Sequence, residues 1–164
     1  MTLPLTQYRH KKLKILAIDP GTTCSGWAVF DASVGEVVSS GVSDNCDLLP
    51  GLHGFAVDVL AIEVFEARGM PIGNDSIQTI IYTGRIIQEW ESRIGKVVTV
   101  RRSAVKLHLC GSSRAKDGNV RQALIDKLGP PGTKKAPGGT YGVSSHAWAA
   151  LAVAVTAHES GVLK

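Results

Sequence analysis

Two acidic residues stand in stretches of the sequence that are otherwise apolar. Asp19 ends the run KILAID (Lys14–Asp19) directly before a Pro-Gly pair, and Glu63 interrupts the run VDVLAIEVF (Val57–Phe65). A short apolar run bounded by turn residues predicts a buried strand, and a buried carboxylate is costly unless it is paired, hydrogen-bonded or bound to a metal. If the two strands are neighbours, the two carboxylates can converge and bind a hard cation such as Mg²⁺.

Each acid also has a purely structural interpretation. An Asp at a strand end can cap the Pro-Gly turn, and a Glu within a strand can pair with a buried Arg. Taken singly, these interpretations are favoured for Asp19 and for Glu63. Taken together, and in this order of elements, the two acids favour a metal site.

The surrounding sequence predicts an α/β domain. Strands are expected at Lys14–Asp19, Gly26–Phe30, Glu36–Val42, Val57–Phe65 and Lys96–Val100, and helices at Asn74–Arg93, Ser103–Leu109, Asp117–Leu128 and Ala147–Glu159. The first three strands have short connections and can form an antiparallel meander, and a strand–helix–strand crossover and closing helices follow it. Asn45–Gly54 and Gly129–Gly139 are rich in Gly and Pro and are expected to be irregular.

The helix predicted at Asn74–Arg93 carries one apolar face. The residues that recur there at three- and four-residue steps are Ile77, Ile80, Ile81, Gly84, Ile87, Trp90 and, just beyond the helix, Ile94. In the last helix, Ser144 or Ser145 is expected to be the N-cap. No internal repeat or second domain is evident, so residues 1–164 are interpreted as one domain with residues 1–13 as a flexible N-terminal tail.

The composition is that of a compact domain with a basic surface. Hydrophobic residues make up 44% of the 164 residues, charged residues 20%, and the net charge is +4 at pH 7. Arg and Lys gather in four clusters, at Arg9–Lys14, Arg101–Lys106, Arg114–Arg121 and Lys134–Lys135. Such clusters suit nucleic acid, and solubility alone explains them equally well.

Nothing in the sequence indicates a membrane or a secretory protein. No apolar run approaches the ~18 residues that a transmembrane helix needs. The basic N-terminus has no apolar segment after it, as a signal peptide would. The three cysteines are scattered and are interpreted as reduced thiols. We therefore expect a cytoplasmic protein without a membrane partner.

The order of these segments resembles the RuvC-type Holliday-junction resolvases. The matches keep family order from about Lys14 to His158, and they are Ile18–Thr23 with Ser25–Ala28, Ala61–Glu63 with Phe65, Gly111 with Arg114–Ala115 and Val120, and Ala150–Ala154. They resemble, in turn, the first strand–turn–strand, the central acidic strand, the basic connector with its helix, and the last helix. The stretch between Val42 and Val57 is short, so a helix that the family carries there is expected to be missing or reduced.

The resemblance implies a ribonuclease H-like fold, with a central mixed five-stranded sheet flanked by helices. It implies a homodimer that nicks four-way DNA junctions symmetrically, with two Mg²⁺ ions in each active site and Mn²⁺ as a substitute. One cation would activate water, and the other would stabilise the leaving 3′-oxygen. No small-molecule cofactor is implied. The apolar face of the Asn74–Arg93 helix is then the natural dimer seam.

The family uses four metal ligands, and three are matched here. Asp19 matches the first and Glu63 the second, while His146 matches the third, which is Asp or His in family members. A capping or surface role is the structural alternative for His146. The fourth ligand is an Asp on the same helical face three residues later, where this chain has Ala149. An inactivating substitution and natural divergence explain Ala149 equally, and either predicts impaired cleavage.

Several residues are expected to contact DNA. The expected phosphate contacts are Arg101, Arg102, Lys106, Arg114 and Lys116. The family places a Lys two residues after the Arg-Ala pair, where this chain has Asp117, so Lys116 and Lys106 are the candidates for that role. Phe65 lies close to where family members place an aromatic that contacts unstacked bases at the junction centre, and a core position is its alternative.

Three other functions compete with junction cleavage. The segment IDPGTT also resembles the phosphate-binding hairpin of the actin and Hsp70 class of ATPases, but those proteins need two lobes and over twice this length. The second is a branched-DNA-binding module of the same fold that does not cut, which Ala149 favours. The third is another ribonuclease H-like nuclease, acting on flaps or RNA–DNA hybrids.

Overall fold

The computed structural model describes residues 12–93 and 95–163. The flexible tail predicted over residues 1–13 lies mostly outside this range. Leu13 packs against the core, and its carbonyl accepts a hydrogen bond from the Ala32 N–H at 2.8 Å. Across the described ranges, no helix is long and apolar enough to cross a bilayer.

The described chain folds into a mixed sheet flanked by helices. Its elements are β1 (Lys14–Asp19), β2 (Cys24–Asp31), β3 (Glu36–Asp44), α1 (Asn45–Gly51), a 3-10 turn (Leu52–Gly54), β4 (Val59–Val64), α2 (Asn74–Arg93), β5 (Val97–Arg101), α3 (Arg102–Cys110), α4 (Asp117–Leu128) and α5 (Ala147–Glu159). The sheet order is β3-β2-β1-β4-β5, with β1–β2 and β2–β3 antiparallel and β1–β4 and β4–β5 parallel. The predicted meander and mixed five-stranded sheet are confirmed.

The prediction of an irregular Asn45–Gly54 is wrong, because this segment forms α1 and the 3-10 turn. Leu48 and Leu52, four residues apart, are buried against the sheet beside Tyr82 and Trp90 of α2. Their burial stabilises helical turns in a stretch whose Gly and Pro content masks the apolar spacing. A helix of seven residues therefore stands in the segment where the resemblance predicts a missing or reduced helix.

The N-cap predicted for the last helix is also wrong. The N-cap is His146, whose backbone is already helical, and no side chain caps α5. Ser145 has a φ of +49°, in the left-handed region. The carbonyls of Ser144 and Ser145 accept hydrogen bonds from the N–H groups of Ala147 and Trp148 at 3.0 and 3.3 Å. Backbone carbonyls therefore close the turn that leads into α5.

Strand alternation places both acids on one face of the sheet. Side chains alternate between faces along a strand. The residues two and four positions before each acid belong to the core beneath α5, and they are Ile15, Ala17, Val59 and Ala61. Ile18 lies opposite Ile62 in the parallel register of β1 and β4, so Asp19 and Glu63 follow one step later at the same end.

Helix α5 covers this face, and α1 and α2 cover the other. Ten consecutive residues of α5, Ala147 to Thr156 with Ala157 beyond them, are nearly all buried, and many are alanines, which allow close approach to the sheet. On the opposite face, Ile86 and Trp90 of α2 pack on Leu16, Leu60 and Ile62 of the sheet. The acids therefore point to the side of α3, α4 and α5.

Candidate active site

A buried polar network holds the turn that follows Asp19. The Ser25 hydroxyl, which is fully buried, accepts a hydrogen bond from the Gly21 N–H at 3.2 Å and donates one to Asn45 Oδ1 at 2.7 Å. Asn45 Nδ2 donates to the Gly21 carbonyl at 2.9 Å. A Cβ at Gly21 would lie 2.2 Å from the Cys24 carbonyl oxygen, so this position requires glycine. The network fixes the end of β1 and with it Asp19.

A second glycine brings the start of α5 onto the sheet. Gly26 pairs with Asp19 across the β1–β2 ladder, and a Cβ on it would lie 2.3 Å from the carbonyl oxygen of His146. This close approach places His146 Nδ1 3.9 Å from Asp19 Oδ2. The imidazole is 62% exposed, so one edge of the ring faces solvent.

The four positions matched to the family's ligands line one pocket of about 200 Å³. Asp19, Glu63, His146 and Ala149 share it with basic and acidic side chains from α3 and α4. Its other polar lining residues are Arg102, Lys106, Asp117, Arg121 and Ser145, and its apolar wall is Val105, Val120, Trp148 and Ala152. The tertiary structure thus brings together the four positions of the expected site, which come from β1, β4 and the start of α5.

Arg102 lies among the carboxylates of this pocket. Its Nη1 donates to both Glu63 oxygens, at 3.2 and 3.3 Å, and its Nη2 lies 2.9 Å from Asp117 Oδ1. Lys106 Nζ lies 3.4 Å from the same Asp117 oxygen. The structural interpretation of Glu63, a pair with a buried Arg, therefore exists alongside the convergence with Asp19. Arg102, expected to contact phosphate, contacts these carboxylates in the described structure.

Burial dominates the acid–base properties of the two sheet carboxylates. It raises the pKa of Asp19 to about 6 and that of Glu63 to about 7, and the nearby Asp19 charge adds to the rise at Glu63. Arg102 lowers both pKa values without cancelling the effect of burial. Their side chains are only 16% and 13% exposed. Added positive charge here would relieve an anionic pair that water solvates poorly.

The donor set does not fit the two divalent ions that the fold family implies. Asp19 and Glu63 offer carboxylate oxygens and His146 offers a ring nitrogen, but Ala149 offers no donor. In residues 12–93 and 95–163, no three His, Cys, Asp or Glu side chains gather closely enough to form a metal site. The guanidinium of Arg102 lies against Glu63, where a second ion would need its oxygens.

The other residues expected to contact DNA lie at the ends of β4 and β5, on α3, and between α3 and α4. Arg101, Arg114 and Lys116 are exposed. Lys106 is only 18% exposed and lines the pocket, whereas Lys116 does not. The core alternative for Phe65 is wrong, because this residue follows β4 with 44% of its surface exposed. Phe65 is therefore accessible at the end of the strand that carries Glu63.

Two residues that were not predicted to belong to the site, Arg121 and Trp148, also line the pocket. Arg121 Cζ lies 4.9 Å from the centre of the Trp148 ring. The basic cluster around Arg114 was a signal for Arg121. Trp148, which is nearly buried, had no signal beyond its place between His146 and Ala149 on the helix.

The predicted apolar face of α2 divides between core and surface. Of its predicted members, Trp90 is fully buried and Ile87 is partly buried, while Ile77, Ile80 and Ile81 are exposed and Ile94 lies outside the described residues. A wider pocket of about 650 Å³ opens beside this stripe, between α1 and α2. It contains none of the four matched ligand positions, so it is not the candidate active site.

Comparison with known proteins identifies the fold through structure alone. No family profile and no curated protein sequence matches the chain. Thermus thermophilus RuvC is 20% identical, with 92% of this chain and 96% of that chain aligned and a TM-score of 0.62. T. thermophilus RuvC in complex with a Holliday junction substrate is 23% identical, with 88% and 92% aligned and a TM-score of 0.63. The yeast mitochondrial Holliday junction resolvase Ydc2 is 10% identical, with 93% and 82% aligned and a TM-score of 0.60.

These alignments cover most of this chain and most of each neighbour. At such low identity the shared property is the path of the backbone. The strand order, the parallel β1–β4 pair and the helices over the acidic face are its basis in this chain. The chain has the ribonuclease H-like fold of the RuvC-type Holliday-junction resolvases.

Proposed function

We propose that this chain is a DNA-junction-binding protein built as a divalent-metal-dependent endonuclease, with cleavage impaired by Ala149. The observation that carries this proposal is the pocket shared by Asp19, Glu63, His146 and Ala149 on one face of the sheet. Three of these positions carry side chains of types that serve as metal ligands, two carboxylates and one imidazole, and the fourth carries no donor. Mg²⁺ is the expected ion because the donors are mainly oxygens, and Mn²⁺ suits the same ligands.

The substrate class follows from charge and from the structural neighbours. A solved neighbour is T. thermophilus RuvC in complex with a Holliday junction substrate. In this chain, Arg101, Arg114 and Lys116 are exposed and can neutralise phosphates. Phe65 is exposed at the end of β4 and can stack on an unpaired base. We infer that branched DNA, a four-way junction above all, is the preferred ligand.

A homodimer would provide the two sites that symmetric nicking requires. The exposed stripe of Ile77, Ile80 and Ile81 lies on one side of α2. An isologous contact between two such stripes would bury apolar surface that a monomer leaves in water. Sedimentation should therefore show a dimer, and Ile81→Asp should yield monomers.

The first experiment measures affinity for a four-way junction and for a linear duplex of the same sequence across a salt series. The affinity for the junction should exceed the affinity for the linear duplex. Both affinities should fall steeply with salt, since the contacts are mainly to phosphates. Arg114→Glu or Lys116→Glu should weaken binding to all junctions alike. Lys96→Glu is the matched control, because Lys96 precedes β5 at the end of the sheet remote from the acids. Equal affinity for linear and branched DNA would contradict the proposal.

A second candidate function is recognition of branched DNA without cleavage. Ala149 favours it, because the pocket lacks the acid that completes the family's ligand set. A nicking assay with Mg²⁺ or Mn²⁺ on junction, flap and RNA–DNA hybrid substrates separates the candidates. Slow junction nicking indicates an impaired resolvase, and nicking of flaps or hybrids instead indicates another nuclease. Binding with no nicking of any substrate indicates the recognition module.

A further inference from the structure

We propose that Arg102 is the resident cation of the candidate active site, so that the pocket binds at most one divalent ion. Its guanidinium would occupy the region in which a second ion would need the oxygens of Glu63. This inference rests on the proposed function, because it treats the pocket as a nuclease site. It also accounts for the misfit between the donor set and a pair of ions.

The contacts of Arg102 are those of a bridging cation. One nitrogen, Nη1, contacts both oxygens of Glu63, and the other, Nη2, contacts Asp117 at 2.9 Å. The two carboxylates come from different elements, β4 and α4. A guanidinium is always charged and presents several N–H donors in a fixed plane, which suits two carboxylates at once. It therefore supplies positive charge to the pocket without any bound metal.

The backbone explains why Arg102 reaches this place. Strand β5 pairs in parallel with β4, with Arg101 opposite Val64, and α3 begins directly at Arg102. The first residue of α3 is thus level with the end of the strand that carries Glu63. Lys106, one helical turn further along, points the same way and also reaches Asp117. The register of β5 on β4 and the start of α3 therefore determine where Arg102 lies.

Two other residues of the pocket also favour a guanidinium. Asp117 anchors Arg102 through the 2.9 Å contact, and Ala149 offers no donor to a second ion. Both residues therefore favour Arg102 over a second divalent ion as the cation beside Glu63.

The test is a titration of DNA-free protein with Mn²⁺, with free Mn²⁺ followed by electron paramagnetic resonance at about pH 8, above the raised pKa values of both sheet acids. The parent chain should bind at most one Mn²⁺ per chain. Arg102→Met should bind Mn²⁺ at least about tenfold more tightly, because a competing positive charge is removed. Arg93→Met is the matched control, since it also breaks an Arg–Glu pair at 3.2 Å but far from the pocket. It should leave Mn²⁺ binding unchanged.

Thermal unfolding shows whether Arg102→Met is folded and gives a second measure of Mn²⁺ binding. Arg102→Met should melt below the parent in EDTA and should gain more from Mn²⁺ than the parent does, since a ligand stabilises the state that binds it. Arg102→Lys keeps the positive charge and loses the planar contacts, so its Mn²⁺ affinity should lie between those of the parent and Arg102→Met. It provides the test if Arg102→Met does not fold.

Two results would overturn the inference. One is a parent chain that binds two Mn²⁺ ions. The other is a folded Arg102→Met, or failing that Arg102→Lys, with the Mn²⁺ affinity of the parent. Either can occur while junction binding is intact, so this failure is distinct from that of the proposed function. Equal binding of linear and branched DNA would overturn the proposed function and leave the Mn²⁺ result standing.

Discussion

Two Arg–Glu ion pairs in this molecule have the same closest distance and different surroundings. Arg102 and Glu63 approach to 3.2 Å in the candidate active site, and Arg93 and Glu89 approach to 3.2 Å at the end of α2. Glu63 is 13% exposed and Glu89 is 34% exposed. The first pair joins α3 to β4, whereas the second lies within one helix turn. Distance alone therefore does not distinguish them.

Burial gives the two glutamates opposite titration behaviour. Burial raises the pKa of Glu63 to about 7, and the nearby Asp19 charge reinforces it against the opposing Arg102. At Glu89, the hydrogen bond with His53 is the largest influence and holds the pKa of that carboxyl below its usual range. An ion pair whose charges are poorly hydrated marks a candidate functional site, because such charges still favour a further cation.

The largest expected effect comes from adding a carboxylate beside the first pair. Ala149→Asp should raise Mg²⁺- or Mn²⁺-dependent junction nicking by about 10²-fold or more, because it restores an oxygen ligand to the pocket. The measurement is single-turnover cleavage of a labelled four-way junction. Ala104→Asp is the control, since Ala104 is exposed on α3 and does not line the pocket.

An active parent chain would break this prediction. If the parent already cuts well and Ala149→Asp leaves the rate unchanged, the match of α5 to the family's last helix is wrong. Asp117 or Glu159 would then have to be the missing acid. Asp117 is the nearer of these two to the proposed ligands, since it lines the pocket and Glu159 does not.

Replacing the arginine of each pair should lower the free energy of unfolding by different amounts. At about pH 8 without divalent ions, Arg102→Met should lower the free energy of unfolding by about 2 kcal/mol, because it leaves Glu63 partly buried without its counter-charge. Arg93→Met should lower the free energy of unfolding much less, because exposed ion pairs contribute little to stability. Urea denaturation measures both. Equal losses would show that burial does not distinguish the two pairs.

The two glutamates should affect the pH dependence of stability in opposite directions. The folded pKa of Glu63, about 7, exceeds its ordinary value of 4.5, so the folded state holds more protons between these values and loses stability as pH rises. Glu63→Gln should therefore gain relative to the parent from about pH 5 to about pH 8. Glu89 has a lowered pKa, so its contribution is present at neutral pH and is lost on acidification.

Urea denaturation across this pH range tests the opposition. Glu89→Gln should be less stable than the parent at neutral pH, and the difference should disappear in acid. Parallel pH profiles for Glu63→Gln and Glu89→Gln would contradict the opposite signs.

The smallest expected effect is the response of the pairs to salt. Double-mutant cycles for Arg93→Met with Glu89→Gln should give a small coupling, which fades as salt rises from about 0.05 to about 0.5 M. The Arg102→Met and Glu63→Gln cycle should keep most of its coupling, because little water or salt reaches Glu63. Equal salt sensitivity would indicate that the pocket is more open than the structure shows.

Local patterns predicted most of the fold. The bounds expected for β1, α2, α4 and α5 agree with the structure, because apolar spacing and turn residues are properties of neighbouring positions. The helix α1 was missed, since its stability comes from burying Leu48 and Leu52 against distant elements. The N-cap of α5 was predicted wrongly because backbone carbonyls, and not a serine side chain, accept the hydrogen bonds from the first N–H groups of the helix.

For the candidate site, the sequence pattern identified the two sheet acids and predicted that they converge if their strands are neighbours. Strand alternation and the parallel order of β1 and β4 require Asp19 and Glu63 to emerge on the same side. The sequence pattern did not predict that Arg102 pairs with Glu63, 39 positions before it, and with Asp117 on α4. Side-chain periodicity acts along one element, whereas a charge pair between elements depends on how their backbones pack in the folded protein.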